Sequence, residues 1–102
     1  MPKTWKNLKE MISYSNGGIV SKVISKSDKV DVTLFCMAKG TELGEHTSTK
    51  EGLVYVIEGN GTFTLEGEGI PMLPGTFIHM KKKAVHSLSA NKDTSFLLVL
   101  NQ

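Results

Sequence analysis

The sequence predicts an all-β fold, a sandwich or barrel of short strands around one core. Three observations carry that prediction. Apolar or alternating runs recur at residues 19–24, 29–39, 53–57, 62–65 and 95–100. Turn-forming residues punctuate them, among them Asn16-Gly17-Gly18, Asn60-Gly61, Glu66-Gly67 and Pro74-Gly75. No stretch keeps a helical apolar period long enough to lay a helix across a core. Many short strands without long helices make a sandwich or barrel.

Taken in order, residues 1–12 have only weak helical spacing, with Leu8, Met11 and Ile12 recurring and Asn7 able to cap a short turn. Residues 13–18 are turn-rich, so 1–17 is expected to be an arm and 18–102 a single barrel domain. Residues 19–24 form the first expected strand. Residues 29–39 form a longer one, with Val32, Leu34, Cys36 and Ala38 on one face and Phe35 and Met37 on the other. The stretch from Gly40 to Gly59 organises the rest of the chain: a glycine closes one strand, His46 sits in a polar turn, and Leu53-Val54-Tyr55-Val56-Ile57 is an unbroken apolar run. That run reads as a strand buried on both faces. Asn60-Gly61 between two β-rich runs predicts a tight hairpin with a type I′ turn. Pro71 demotes residues 70–73 to an edge or broken strand. Strands over 76–80, 84–88 and 95–100 complete the series.

The 102 residues suit one core, and 39% of them are hydrophobic. A formal net charge of +2 is too small to argue for nucleic acid. No apolar run is long enough to span a membrane as a helix. The first residues lack an apolar signal segment, and one cysteine allows no internal disulfide. A cytoplasmic protein that binds neither nucleic acid nor membrane is expected.

The spacing of glycines and histidines resembles that of the cupins. Gly40, five residues, His46, one residue, Ser48, three residues, Gly52, six residues, Gly59 matches the first motif of that family without a gap. Gly75, Lys81, Lys83, His86 and Ala90 fall on the second, with Asn91 one place late, and residues 60–74 form the short spacer of small microbial cupins. The resemblance implies a double-stranded β-helix, or jelly-roll barrel. It also implies a metal clamp of three histidines and a glutamate inside. His46 and His86 stand at two of those ligand positions. Ser48 replaces a third histidine, and Gly52 replaces the glutamate. Glu51, next to that position, is the candidate third ligand, although in a regular strand it would face away unless a bulge turned it inward. The ion expected is a divalent transition metal: zinc, nickel, iron or manganese. Two imidazoles fall short of the usual ligand count, and the plain alternative is a pair of polar residues in a metal-free pocket. Ser48, Gly52, Cys36 and Met80 are expected to line that pocket.

The register that turns Met80 inward sends His79 outward, toward a structural or interface role. Lys81-Lys82-Lys83 reads as a solvated hairpin rather than a lip for anions. Cys36 reads as a buried structural thiol, Tyr55 as a residue of the sheet exterior or an interface, and Trp5 as packing over a barrel end or a second subunit. Two functions remain open. One is a metal-dependent dioxygenase or isomerase acting on a small molecule. The other is non-catalytic binding or sensing of a small polar or anionic ligand. Surplus apolar strand surface in 19–24 and 53–57 predicts a homodimer.

Overall fold

Nine strands, stacked as two sheets, make up the computed structural model, which describes residues 4–102. They are β1 (Ile19–Lys26), β2 (Val30–Met37), β3 (Glu42–His46), β4 (Glu51–Glu58), β5 (Gly61–Leu65), β6 (Glu68–Met72), β7 (Phe77–Met80), β8 (His86–Ala90) and β9 (Thr94–Asn101). One sheet has the order β1-β2-β9-β4-β7 and the other β3-β8-β5-β6, and every pairing is antiparallel. This is the double-stranded β-helix. Among the described residues no helix is long and apolar enough to cross a membrane. The only helical element there is a 3-10 turn at Leu8–Glu10, capped by the Asn7 side chain accepting from Lys9 N.

Period-two alternation sets the core. In β4, Val54 and Val56 are buried, while Leu53 and Tyr55 are 37% and 48% exposed in the protomer. The run 53–57 is therefore not buried on both faces. One side packs into the sandwich and the other covers its outside. Val54, Val56, Phe63, Ile78, Leu88 and Phe96 meet between the sheets. Phe35 and Phe96, directly opposite across β2 and β9, stack at 5.2 Å.

The other face of β2 is buried too, for a different reason. Leu34 and Cys36 are fully buried although they point away from the sandwich interior. The arm lies over them: Lys22 Nζ donates to Met11 O at 2.6 Å, and Tyr14 OH donates to a Glu58 carboxylate oxygen at 2.8 Å. Burial, with that carboxylate beside it, pushes the Tyr14 hydroxyl far above its ordinary pKa. Trp5 is 70% exposed in the protomer.

The hairpin expected at Asn60-Gly61 does not form. β4 and β5 belong to different sheets, so these residues carry the chain across the sandwich. Gly59 adopts φ +120°, and a Cβ there would lie 2.5 Å from the Thr94 Cα. Asn60 O instead accepts from Asn91 N and Lys92 N. The tight two-residue turn is the next one along. Glu66 and Gly67, at φ 48° and 84°, join the paired strands β5 and β6, and both positive angles suit a type I′ turn. β6, which contains Pro71, lies at a sheet edge, where a missing N–H is tolerated.

Candidate functional site

The site is built where β3 meets β8. Leu43 pairs with Leu88 and faces the interior. Strict alternation from Leu43 would turn His46 outward. A register shift between Leu43 and His46 restores the inward direction and sets His46 opposite His86. Gly44 sits in that bulge, where the absence of a side chain eases the bend.

The two imidazole centroids lie 4.0 Å apart with their planes inclined by 61°. His86 is only 6% exposed and lies parallel to Phe63 at 5.7 Å. His46 is exposed, at the mouth. Each ring is held through Nδ1: His46 Nδ1 lies 2.7 Å from Gly44 O, and His86 Nδ1 lies 3.0 Å from Ala84 O. A carbonyl only accepts, so both Nδ1 atoms carry the proton. In its neutral form each ring then keeps the lone pair on Nε2. Burial lowers the His86 pKa below the ordinary imidazole value. The bond to Ala84 O pulls it back up, and the neighbouring His46 reinforces the lowering.

Both rings line a cavity of about 50 Å³ together with Phe35, Val54, Phe63, Met80 and Phe96. Among the described residues no cationic or carboxylate side chain lines it. Of the residues expected there, His46, His86 and Met80 are present. Ser48 and Cys36 do not line it. Ser48 lies in the loop after β3, where its Oγ accepts from Lys50 N and its carbonyl accepts from Lys83 N at 2.7 Å. Cys36 is on the arm side of β2, because it alternates with Phe35. Glu51, the candidate third ligand, lies elsewhere: its carboxylate is 2.6 Å from His79 Nε2 on the outer face of the five-stranded sheet. His79 thus faces outward, paired with Glu51.

Gly52 sits behind Met80. A Cβ on it would lie 2.9 Å from the Met80 methyl and 3.2 Å from a Leu100 methyl. The space a longer side chain would need is filled by apolar atoms. Among the described residues no three His, Cys, Asp or Glu side chains are grouped to hold a metal. A divalent ion of the kind implied by the three-histidine, one-glutamate pattern does not fit two neutral imidazoles and an apolar wall. Sequence reasoning missed Phe35, Phe63 and the bulge. Gly44 within a short strand was the readable signal for the bulge.

Residues 33–100 match the model of the Cupin domain family. The chain is similar in structure to a conserved protein of unknown function from Streptococcus pyogenes, at 22% identity and a TM-score of 0.88, covering 100% of this chain and 90% of that one. It is also similar to a cupin superfamily protein from Desulfitobacterium hafniense, at 19% identity and a TM-score of 0.88, covering 99% and 94%. An RmlC-like cupin protein from Desulfovibrio desulfuricans gives 23% identity and a TM-score of 0.87, covering 98% and 97%. No curated protein matches the chain. At these identities the structures speak to fold alone, but the family model spans more than half of the sequence, and the chain belongs to the cupin family.

Proposed function

We propose that this cupin is a non-catalytic binding or sensing protein whose barrel holds a small electron-pair acceptor at His46 and His86. One observation carries the reading: two imidazoles whose Nδ1 atoms are tied to backbone carbonyls, which leaves Nε2 to accept, line a small apolar cavity. Such a pair accepts hydrogen bonds or binds a cation. The cavity has room for about three to five water-sized atoms, which is too little for a sugar or an aromatic ring without rearrangement. The dioxygenase or isomerase reading has less support, because the carboxylate it would use, Glu51, is bonded to His79 outside. The test tracks His86 ring and Met80 methyl NMR signals at pH 7.5 during addition of ethanol, acetamide, silver(I) or formate. Hydrogen-bond donors or the cation should move both signals, and His46→Ala should weaken the response. Signals that stay still with all of them, or move with formate alone, overturn the reading.

We also propose a homodimer formed through the outer face of the five-stranded sheet. Register aligns Leu97, Tyr55 and Phe77 in one row and Val99, Leu53 and His79 in the next. Phe77 is 62% exposed. With Leu53 and Tyr55 it offers roughly 300 Å² of apolar surface, a fair core for an interface of about 800 Å² per partner. Sedimentation at micromolar concentration should show a dimer that Tyr55→Lys dissociates; a wild-type monomer removes the proposal.

A further inference from the structure

The outer face of the five-stranded sheet carries one polar couple that the barrel cavity does not use. Glu51 and His79 are bonded to each other at 2.6 Å, with side chains 43% and 46% exposed. They border a groove of about 290 Å³ whose other walls are Val30, Leu53, Val99 and Asn101. Strand pairing sets Leu53 beside His79, and Glu51 comes two residues before Leu53 on the same face.

Position decides first. An interface of about 800 Å² per partner is a disc of roughly 16 Å radius. Residues two apart along a strand lie about 7 Å apart, and neighbours on paired strands about 5 Å. An interface centred on Leu53 and Tyr55 therefore covers the couple, and closing the groove takes both side chains out of water.

Charge decides second. From β4 the imidazole of His79 meets Glu51 and, further along, the phenol of Tyr55; β9 presents Val99 and Asn101, and β7 itself adds Phe77. Phenols stay neutral until about pH 10. Lys81 is exposed on the turn that follows, and Lys50 reaches toward Asp31, 3.9 Å away. Among the described residues Glu51 makes its ion pair with His79 and with no lysine. With the imidazole neutral, the couple carries one net negative charge. With the imidazole protonated, it is a close ion pair of net charge zero. Burying a lone charge costs far more than burying a matched pair joined by a charge-assisted hydrogen bond. A two-fold interface uses the same patch twice, so two negative couples would be brought to one interface. Imidazoles change charge between pH 5 and 8.

We infer, on the dimer reading given above, that the second copy docks on this face with His79 protonated, so that assembly draws a proton onto each of the two Glu51–His79 couples. The couple then sets the conditions under which the apolar rows close, and acidification is the signal that closes them.

The test is sedimentation of the full chain between pH 6 and pH 8 at constant ionic strength, with circular dichroism at each pH to show that the protomer stays folded. One proton taken up per protomer allows the dissociation constant to change by up to about a hundredfold per pH unit. The dimer should be at least tenfold tighter at pH 6 than at pH 8. His79→Gln keeps the negative charge at every pH, so its dimer should be at least tenfold weaker than wild type at pH 6 and insensitive to pH. Glu51→Gln reverses the sign: its couple is neutral when the imidazole is neutral and positive when it is protonated, so its dimer should weaken from pH 8 to pH 6. Both side chains are exposed in the protomer, and neither variant disturbs the core. A wild-type dimer whose dissociation constant stays the same across this range, or that tightens as pH rises, overturns the inference and leaves the dimer standing. The wild-type pH dependence retained in either variant also overturns it. A wild-type chain that is monomeric at every pH removes the dimer and the inference together.

Discussion

The two walls of this barrel make different contributions to the same cavity. The wall from the four-stranded sheet brings both imidazoles, His46 on β3 and His86 on β8, held at set angles by backbone carbonyls. The described residues of the wall from the five-stranded sheet bring apolar groups such as Phe35, Val54, Met80 and Phe96. A divalent site needs three or four donors. Here half of the donor set stands opposite an apolar surface, and Ser48 and Gly52 stand where the other two donors are missing. Family membership and ligand chemistry therefore come apart in one chain, because the fold depends on alternation and turns while the site depends on a few side chains.

The largest expected effect comes from breaking the corner that joins the walls. Gly61→Ala would place a Cβ 2.4 Å from the Ser89 carbonyl oxygen, and backbone must give way. A loss of about 3 kcal/mol is expected in denaturant unfolding, and an unchanged midpoint would contradict a crossing packed this closely. Next, Gly52→Glu puts a carboxylate on the apolar wall against Met80 and Leu100. It should cost about 2 kcal/mol in the absence of metal, and saturating zinc should recover part of that in thermal melts. No zinc response would mean that the two walls are not positioned to share an ion. Gly52→Ala should cost about 1 kcal/mol or less, since the flexible end of Met80 can move aside. A larger loss would show that Met80 is pinned in place by the apolar wall.

Acidification probes the imidazole wall. The folded His86 pKa lies below its unfolded value, so the unfolded chain takes up the proton first as pH falls. Stability from this group is complete above the unfolded value of about 6.5 and is lost as pH drops toward the folded value. His86→Phe should flatten this part of the stability curve, measured by urea unfolding between pH 7.5 and 5; an unchanged slope would place the titration elsewhere. The smallest effect is expected from Lys81, Lys82 and Lys83, which are exposed on the turn between β7 and β8. Their joint replacement by glutamine should leave ligand affinity within twofold by the same NMR titration, and a greater loss would make the turn part of the site.

Several parts of this architecture are legible in the chain. The outward direction of His79 is set by alternation against Met80, and the position of β6 at an edge is set by Pro71. The two histidines are identifiable from their spacing to Gly40, Gly59 and Gly75. The place of Cys36 is not legible, because the chain shows which residues share a strand face but not which face meets the opposite sheet. The arm that carries Tyr14 buries the outer face of β2 as thoroughly as the sandwich buries the inner one. Asn60-Gly61 misleads because local turn chemistry competes with a longer-range demand. Gly61 packs against the Ser89 carbonyl of another strand, a contact formed only when the second sheet assembles.

By itself, then, the order of residues determined an all-strand cupin fold, the rhythm of its turns and the pair of imidazoles. These depend on periodicity and backbone preference, which act over a few neighbours. The tertiary structure alone decided that a bulge turns His46 inward, that Glu51 pairs with His79 outside, and that Met80 and Leu100 fill the space beside Gly52. Those outcomes depend on which strands pair and which atoms share a volume, and residues far apart in sequence set both.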